Sequence, residues 1–440
     1  MGILLTLTVV APWGVAPLCA SGSKAYEITL PRLNPRFSPL AAENEAPLFD
    51  RLIASFGQDY ATIYLANPDR IFANGETVYY LRREIQAFVD MWRATGSKPY
   101  LDQARNLTLR AIEEATASPL PMIWHEEDRG TWPCFFLESV ADETGGHNQL
   151  CDFQGSVGFL MTARCLQQVN HPAWREIADF VEQQIVEKWL YYKPSLGEWH
   201  FTGPRSYENM LAMLNSSRDV REHFACICFD LHTLGYRTYP YWKWASLLSG
   251  LYLTPRYGLD EPPPHQDTLA EHIPDDWGLL VHVDDKGYTW LSIPNYDPNR
   301  LAEAMDTSHA NRTVWLAAKA CAEGLLDKTV IDGLANTLRF KIWAPEKGPF
   351  YFNNYIDGSD DEMDGLEPGR GGNVWFGWHR LAAFDRNLED LFLSIAYDLT
   401  HGGENLPYGA QNKAMQNAPI CLEAWGARLL ADKGQPVRFP

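Results

Sequence analysis

The chain has 440 residues, 46% hydrophobic and 21% charged, the balance of a globular protein long enough for one large core or two ordinary ones. Its formal net charge of −19 argues against nucleic acid and anionic membrane surfaces as partners. The same charge counts against an acidic polysaccharide, unless basic residues gather locally in a cleft.

The first segment, MGILLTLTVVAPWGVAPLCASGSKA, reads as a secretory leader. An apolar run is followed by small residues suited to cleavage near Ala20, which predicts export to the periplasm or the medium. Residues 21–440 are then expected to form a single domain. No later stretch has the roughly 20 apolar residues that a membrane span needs.

Helical periodicity dominates the rest of the chain. Helices are predicted near 46–57, 76–95, 98–117, 148–168, 173–190, 219–234, 240–253, 300–324, 327–341, 376–384, 387–400 and 411–432. VYYLRREIQAFVDMWRATG spaces its apolar residues for a helix and stops at Gly96; PYLDQARNLTLRAIEEATA follows within a few residues, as in a helical hairpin. NQLCDFQGSVGFLMTARCLQQV and AWREIADFVEQQIVEKWLYY repeat the plan, as do the pairs beginning near Arg300 and Asp327. Strand signals are short: WHFTG, GLLVHV, GYTWLSI and FYFNNY. The Pro-, Asp- and aromatic-rich segment 254–300 reads as a long loop carrying a β-hairpin. The predicted class is all-α. Six to seven hairpins closing into an α/α toroid, with long loops and minor β-hairpins, suit this spacing better than an extended stack, because no short repeat is visible.

Cys19 leaves with the leader, and seven cysteines remain, which is no disulfide framework. Cys165, Cys226, Cys228 and Cys321 have apolar neighbours and read as packing residues. Cys134 with Cys151 could form one bridge. No Cys/His spacing matches a structural zinc site.

Polar residues crowd several predicted helix starts. MDTSHANRTVW places Asp306, Ser308, His309, Asn311 and Arg312 within seven residues. Asp306 or Ser308 can cap a helix, and His309 and Arg312, three apart, share a face. TGGHNQLCDFQ offers His147, Asn148, Gln149 and Gln154; NSSRDVREHF offers Arg218, Arg221, Glu222 and His223. In EPGRGGNVWFGWHRL, Arg370 lies between glycines, which let a backbone approach a ligand, ahead of Trp375, Trp378, His379 and Arg380. GENLPYGAQN adds Glu404 and Tyr408. In a toroid such starts converge on one cleft. Loop segments contribute Trp124, Glu126, Glu127, Trp132, Tyr296 and Tyr355, the aromatics offering flat faces that suit sugar rings. The acidic run after Tyr355 lacks the full EF-hand spacing and reads as a solvated loop rather than a calcium site.

There is no phosphate-binding loop, dinucleotide fingerprint or nucleophile elbow, so no cofactor is expected. Imidazole, phenol, guanidinium and carboxamide groups together suit removal of a proton next to a carboxylate. Arg, Asn or Gln would stabilise the charge developing on a uronate, while His and Tyr move the protons. The result is β-elimination in an anionic polysaccharide.

DTSHANR, GGHNQ and the Gly-flanked Arg370 before VWFGW resemble the α/α-toroid polysaccharide lyases that cut alginate or glucuronan. In layout the resemblance spans about residues 45–430; in detail it rests on these short motifs. It implies His309 as the proton-transfer residue, Arg370 or Arg312 as neutraliser with Asn148 in support, and a tyrosine, for which Tyr296 and Tyr355 are chosen by context rather than by motif. After Arg370, Trp375 and Phe376 stand where a tyrosine would fit, a departure from the family pattern. Trp124, Trp132, His147, Gln149, His223, Arg312, Trp375, Trp378 and Tyr408 are then expected to bind the substrate. A rival on the same scaffold is a glycoside hydrolase using two carboxylates from Glu126, Glu127, Asp152, Asp306 and Glu404. A second rival is an exported glycan-binding protein without catalysis.

Overall fold

The computed structural model describes residues 46–65, 78–117, 133–134, 149–191, 218–253, 282–284, 286–290, 304–348, 350–362, 368, 374, 377–400 and parts of 423–432. The leader at 1–20 and the strand expected at WHFTG lie outside these residues, as does most of the helix expected at 411–432.

Of the described residues 76% are helical, which makes the class all-α. Helix α1 spans Ala46–Asp59 and runs into a π-helical turn, Tyr60–Leu65. Helix α2, Val78–Thr95, ends at Gly96, whose φ of +72° only glycine adopts freely; its amide closes the helix on the Trp92 carbonyl. Pro99 opens α3, Lys98–Glu114, where a missing amide costs no helical bond. Helix α4 is Gln149–Gln168. The next helix starts as α5, Ala173–Phe180, passes through a π-helical stretch, Val181–Val186, and finishes as α6, Glu187–Tyr191. Helices α7, Arg218–Leu234, and α8, Tyr241–Leu253, form a further pair. So do α9, Thr307–Ala322, and α10, Lys328–Thr337, each capped by an aspartate, Asp306 and Asp327. A 3-10 turn, Trp378–Ala383, precedes α11, Arg386–Thr400.

Helices α2, α4, α7 and α9 pack as successive neighbours, and each packs against its sequence successor, α3, α5, α8 and α10. The 3-10 turn packs on α9 and α11, and α11 touches α1. Burial divides the helices. From Cys151 to Leu166, Val220 to Leu231 and Ala310 to Ala320, every residue is buried. Helices α3 and α5 bury one stripe and expose the other, the pattern of a layer that meets solvent on one side.

A helix buried all round must satisfy its polar groups inside, and these do so with ion pairs between elements. Asp230 of α7 receives Arg164 of α4 at 2.8 Å and Lys319 of α9 at 2.5 Å. Asp152 of α4 receives Lys188 at 2.6 Å and the Trp189 indole at 2.8 Å, and the Tyr241 hydroxyl donates to Glu182 at 2.9 Å. Apolar packing surrounds them: Phe56, Tyr60, Phe88 and Tyr100 meet mostly edge to face at 5.2–5.6 Å, each such contact adding about 0.5–1.5 kcal/mol beyond burial.

Strands are minor. β1, Thr116–Ala117, pairs antiparallel with β2, Pro133–Cys134; β3, His282–Asp284, pairs with β4, Gly287–Thr289, a short hairpin within the 254–300 region where one was expected. FYFNNY makes isolated bridges, Trp343 to Phe352 and Asp306 to Tyr355, instead of a strand. Cys165, Cys226 and Cys228 are buried as packing residues; burial pushes the Cys165 and Cys226 thiols up to about 12. The Cys134 side chain, and so the bridge to Cys151, lies outside the described residues. None of the described helices is long and apolar enough to cross a membrane.

Candidate active site

The helix α9 start explains the crowding in DTSHANRT. Asp306 is extended at φ −69°, ψ 153°, and divides its two carboxylate oxygens. Oδ1 accepts the His309 amide at 2.8 Å, the usual N-cap bond, and Oδ2 faces His309 Nδ1 at 2.6 Å. Thr307 donates its hydroxyl to the Asn353 carbonyl at 2.9 Å and its amide to the Asn354 carbonyl at 2.8 Å. Tyr355 bridges back to Asp306, so segment 352–355 is laced to the helix start. Asn311 reaches the other way: its Oδ1 accepts the amides of Gly377 at 2.8 Å and Trp378 at 3.2 Å. Thr313 donates to Glu222 of α7 at 2.6 Å. The polar residues of this stretch thus join four parts of the chain.

His309 is set apart by exposure: its side chain is 39% accessible, against 12% for Asp306. Burial pushes the Asp306 carboxyl up, but the hydrogen bonds and charge of His309, with Arg312 behind it, outweigh burial and hold it below its ordinary value. Asp306 is therefore an anion at neutral pH. Tyr355 is half-buried and donates its hydroxyl to the Glu362 carbonyl at 3.2 Å.

Arg312, one turn further, turns inward and is 3% exposed. Its Nε and Nη2 donate to Gln154 Oε1 at 3.3 and 3.0 Å, and its Nε lies 3.2 Å from His223 Nε2. Burial first, then the charges of Arg82 and Arg312, push His223 well below the ordinary imidazole range, so the ring is neutral and accepts from Arg312. Arg82 and Arg380 both lie against the Trp315 ring, at 5.1 and 4.2 Å, and Arg380 pairs with Asp90 of α2 at 3.1 Å and with Glu423. Among the described residues five arginines, Arg82, Arg164, Arg221, Arg312 and Arg380, are buried in a chain of net charge −19.

Three residues expected at the substrate are seated in the interior instead. Trp378 is fully buried, stacks on Trp290 at 6.4 Å and donates its indole N–H to the Thr307 carbonyl at 3.1 Å, so it packs the α9 start. His223 is 2% exposed and serves Arg312. Arg312 shares the His309 face by spacing, but lies a turn deeper and is engaged by Gln154 and His223. Its influence on Asp306 is exerted through its charge. Gln154, which ties α4 to both residues, is marked in sequence only by its place in the GGHNQ helix.

Gln149 begins α4, and its side chain lies outside the described residues, as do Trp124, Trp132, His147, Asn148, Tyr296, Arg370, Trp375 and Tyr408. The acidic segment after Tyr355 is internally bonded: Asp360 accepts from Lys347 at 3.0 Å, Tyr351 at 2.5 Å and the Asn354 amide at 3.2 Å, and Asp357 from Ser359. Among the described residues no group of three or more His, Cys, Asp and Glu is placed to hold a metal ion. Compared with protein-family models, with curated proteins and with solved structures, the chain matches none.

Proposed function

We propose that the chain is an exported polysaccharide lyase that cuts a uronic-acid polymer of alginate or glucuronan type by β-elimination, on an α/α toroid. The observation that carries this reading is the accessible His309 imidazole, held by an anionic Asp306 at the start of an otherwise buried helix, with Tyr355 on the adjoining segment. His309 takes the C5 proton of the uronate. The freed electron pair forms the C4–C5 double bond as the C4–oxygen bond breaks, and a tyrosine, Tyr355 or Tyr296, protonates the departing oxygen. Arg370, with Asn148, neutralises the uronate carboxylate as charge builds on it. The toroid is supported by the succession α2, α4, α7, α9, by the outer partners of these helices, and by Arg380 reaching back to Asp90.

Arg312, buried one turn into α9, supports the reading against the net charge, since its charge favours an anion at the α9 start. The hydrolase rival draws less support. It needs a carboxylic acid kept protonated at neutral pH. Of its described candidates, Asp152 is engaged by Lys188 and Trp189, and Asp306 is held ionised.

The test is to incubate the protein with alginate, glucuronan and other uronate polymers and follow the ultraviolet absorbance of the unsaturated uronate. Appearance of that band supports elimination. New reducing ends without it would mean hydrolysis, and binding without either product would mean a glycan-binding protein; both results overturn the lyase reading.

A further inference from the structure

We propose that Asp306 is a positioning residue that holds His309 in the Nδ1–H tautomer and so presents Nε2 as the proton acceptor. This deepens the lyase reading and rests on it for its catalytic meaning, although the tautomer can be measured without it.

One carboxylate is divided between two bonds. Oδ1 is spent on the helix, as the N-cap acceptor of the His309 amide at 2.8 Å, and Oδ2 on the ring, at 2.6 Å from Nδ1. An ionised carboxylate only accepts, so a nitrogen at that distance must carry a hydrogen. In the neutral imidazole the other nitrogen, Nε2, then holds the lone pair. Because the amide and the ring belong to the same residue, the two bonds fix the side chain relative to the helix axis. The side chain's 39% exposure keeps the ring within reach of a polymer.

Charge works in the same direction. His309 occupies the third position of α9, where the helix terminus disfavours an imidazolium. The Asp306 anion at 2.6 Å from Nδ1 opposes that penalty. Tyr355 lies on the segment bridged to Asp306, with its hydroxyl on the Glu362 carbonyl at 3.2 Å.

The discriminating variant is Asp306→Asn. Asparagine caps a helix about as well as aspartate, so its Oδ1 can still accept the His309 amide. Its amide group, however, donates toward Nδ1 and drives the proton to Nε2. The experiment is long-range nitrogen–proton NMR on the full-length protein carrying ¹⁵N-labelled histidine, with the His309 signals assigned by their loss in His309→Gln. The wild type is expected to show the Nδ1–H form, and Asp306→Asn the Nε2–H form with a lower titration midpoint. On a cleavable uronate polymer, kcat of Asp306→Asn is expected to fall by about a hundredfold or more while KM changes little. An Nε2–H tautomer in the wild type overturns the proposal, as does a variant that folds and keeps the wild-type tautomer and kcat. The wild-type spectrum decides the matter if the variant fails to fold. If no polymer yields an unsaturated product, the lyase reading falls, and the NMR result still stands or fails on its own.

Discussion

Replacing Gly377 with alanine should destabilise the protein through one contact. A Cβ at this position would lie 1.8 Å from the Asn311 carbonyl oxygen, 2.5 Å from its carbon and 2.7 Å from its Cα. Those are backbone atoms of a buried helix, not the end of a movable side chain. An unstrained contact is about 3.5 Å or more, so the turn and α9 must part by roughly 1.5 Å. Parting them breaks the bonds from the Gly377 and Trp378 amides to Asn311 Oδ1. Each buried donor left unsatisfied costs about 1–3 kcal/mol, and overpacking adds about 1–3 kcal/mol. The expected loss is therefore at least about 3 kcal/mol, against a total stability of about 5–15 kcal/mol. Guanidinium unfolding followed by tryptophan fluorescence and far-ultraviolet circular dichroism would measure it. Asn311→Ala removes the two bonds without the clash, so it should cost less than Gly377→Ala, and the double variant less than the sum. A Gly377→Ala midpoint equal to wild type would refute the reasoning.

Other outcomes are equally specific. His309→Ala should abolish formation of unsaturated uronate and leave the circular dichroism spectrum unchanged; full activity would remove His309 from the mechanism. Asp230→Asn should cost about 3–5 kcal/mol in the same unfolding assay, because Arg164 and Lys319 are left buried against a neutral group. His223 has a depressed folded value, so the unfolded chain binds its proton first, and stability should begin to fall as pH drops through the ordinary histidine value of 6.5. His223→Gln should flatten that part of the stability–pH curve. Asp306 is also depressed in the fold; its contribution is fully present above the ordinary carboxyl value of 3.8 and is lost as pH falls through its lowered folded value. Asp306→Ala should remove that acid-side loss.

The helical pairs are legible because periodicity and punctuation agree. The α2–α3 pair stops and restarts at Gly96 and Pro99 as expected, and the predicted boundaries of α4 and α7 lie within a residue of those observed. The helix predicted from 300 starts at Thr307, where Asp306 caps it. Strand β1 goes unsignalled because two residues carry no alternation. His309 stands out in the sequence through its polar neighbours Asp306, Ser308, Asn311 and Arg312 around one helix start. Trp378 misleads because its place beside Gly377, after the Gly-flanked Arg370, suggests a residue open to a ligand. Here Gly377 instead permits backbone contact with Asn311, and that contact is what buries the indole. Which acceptor Arg312 chooses depends on α4 and α7 meeting it, and no local pattern encodes that.

Helices α4, α7 and α9 have long stretches with no face toward water. A new charge along those stretches has nowhere to go, and an added methylene displaces a neighbour on some other helix. Such a framework resists revision from within. Under the lyase proposal, changes in the polymer accepted would then be expected outside these buried stretches.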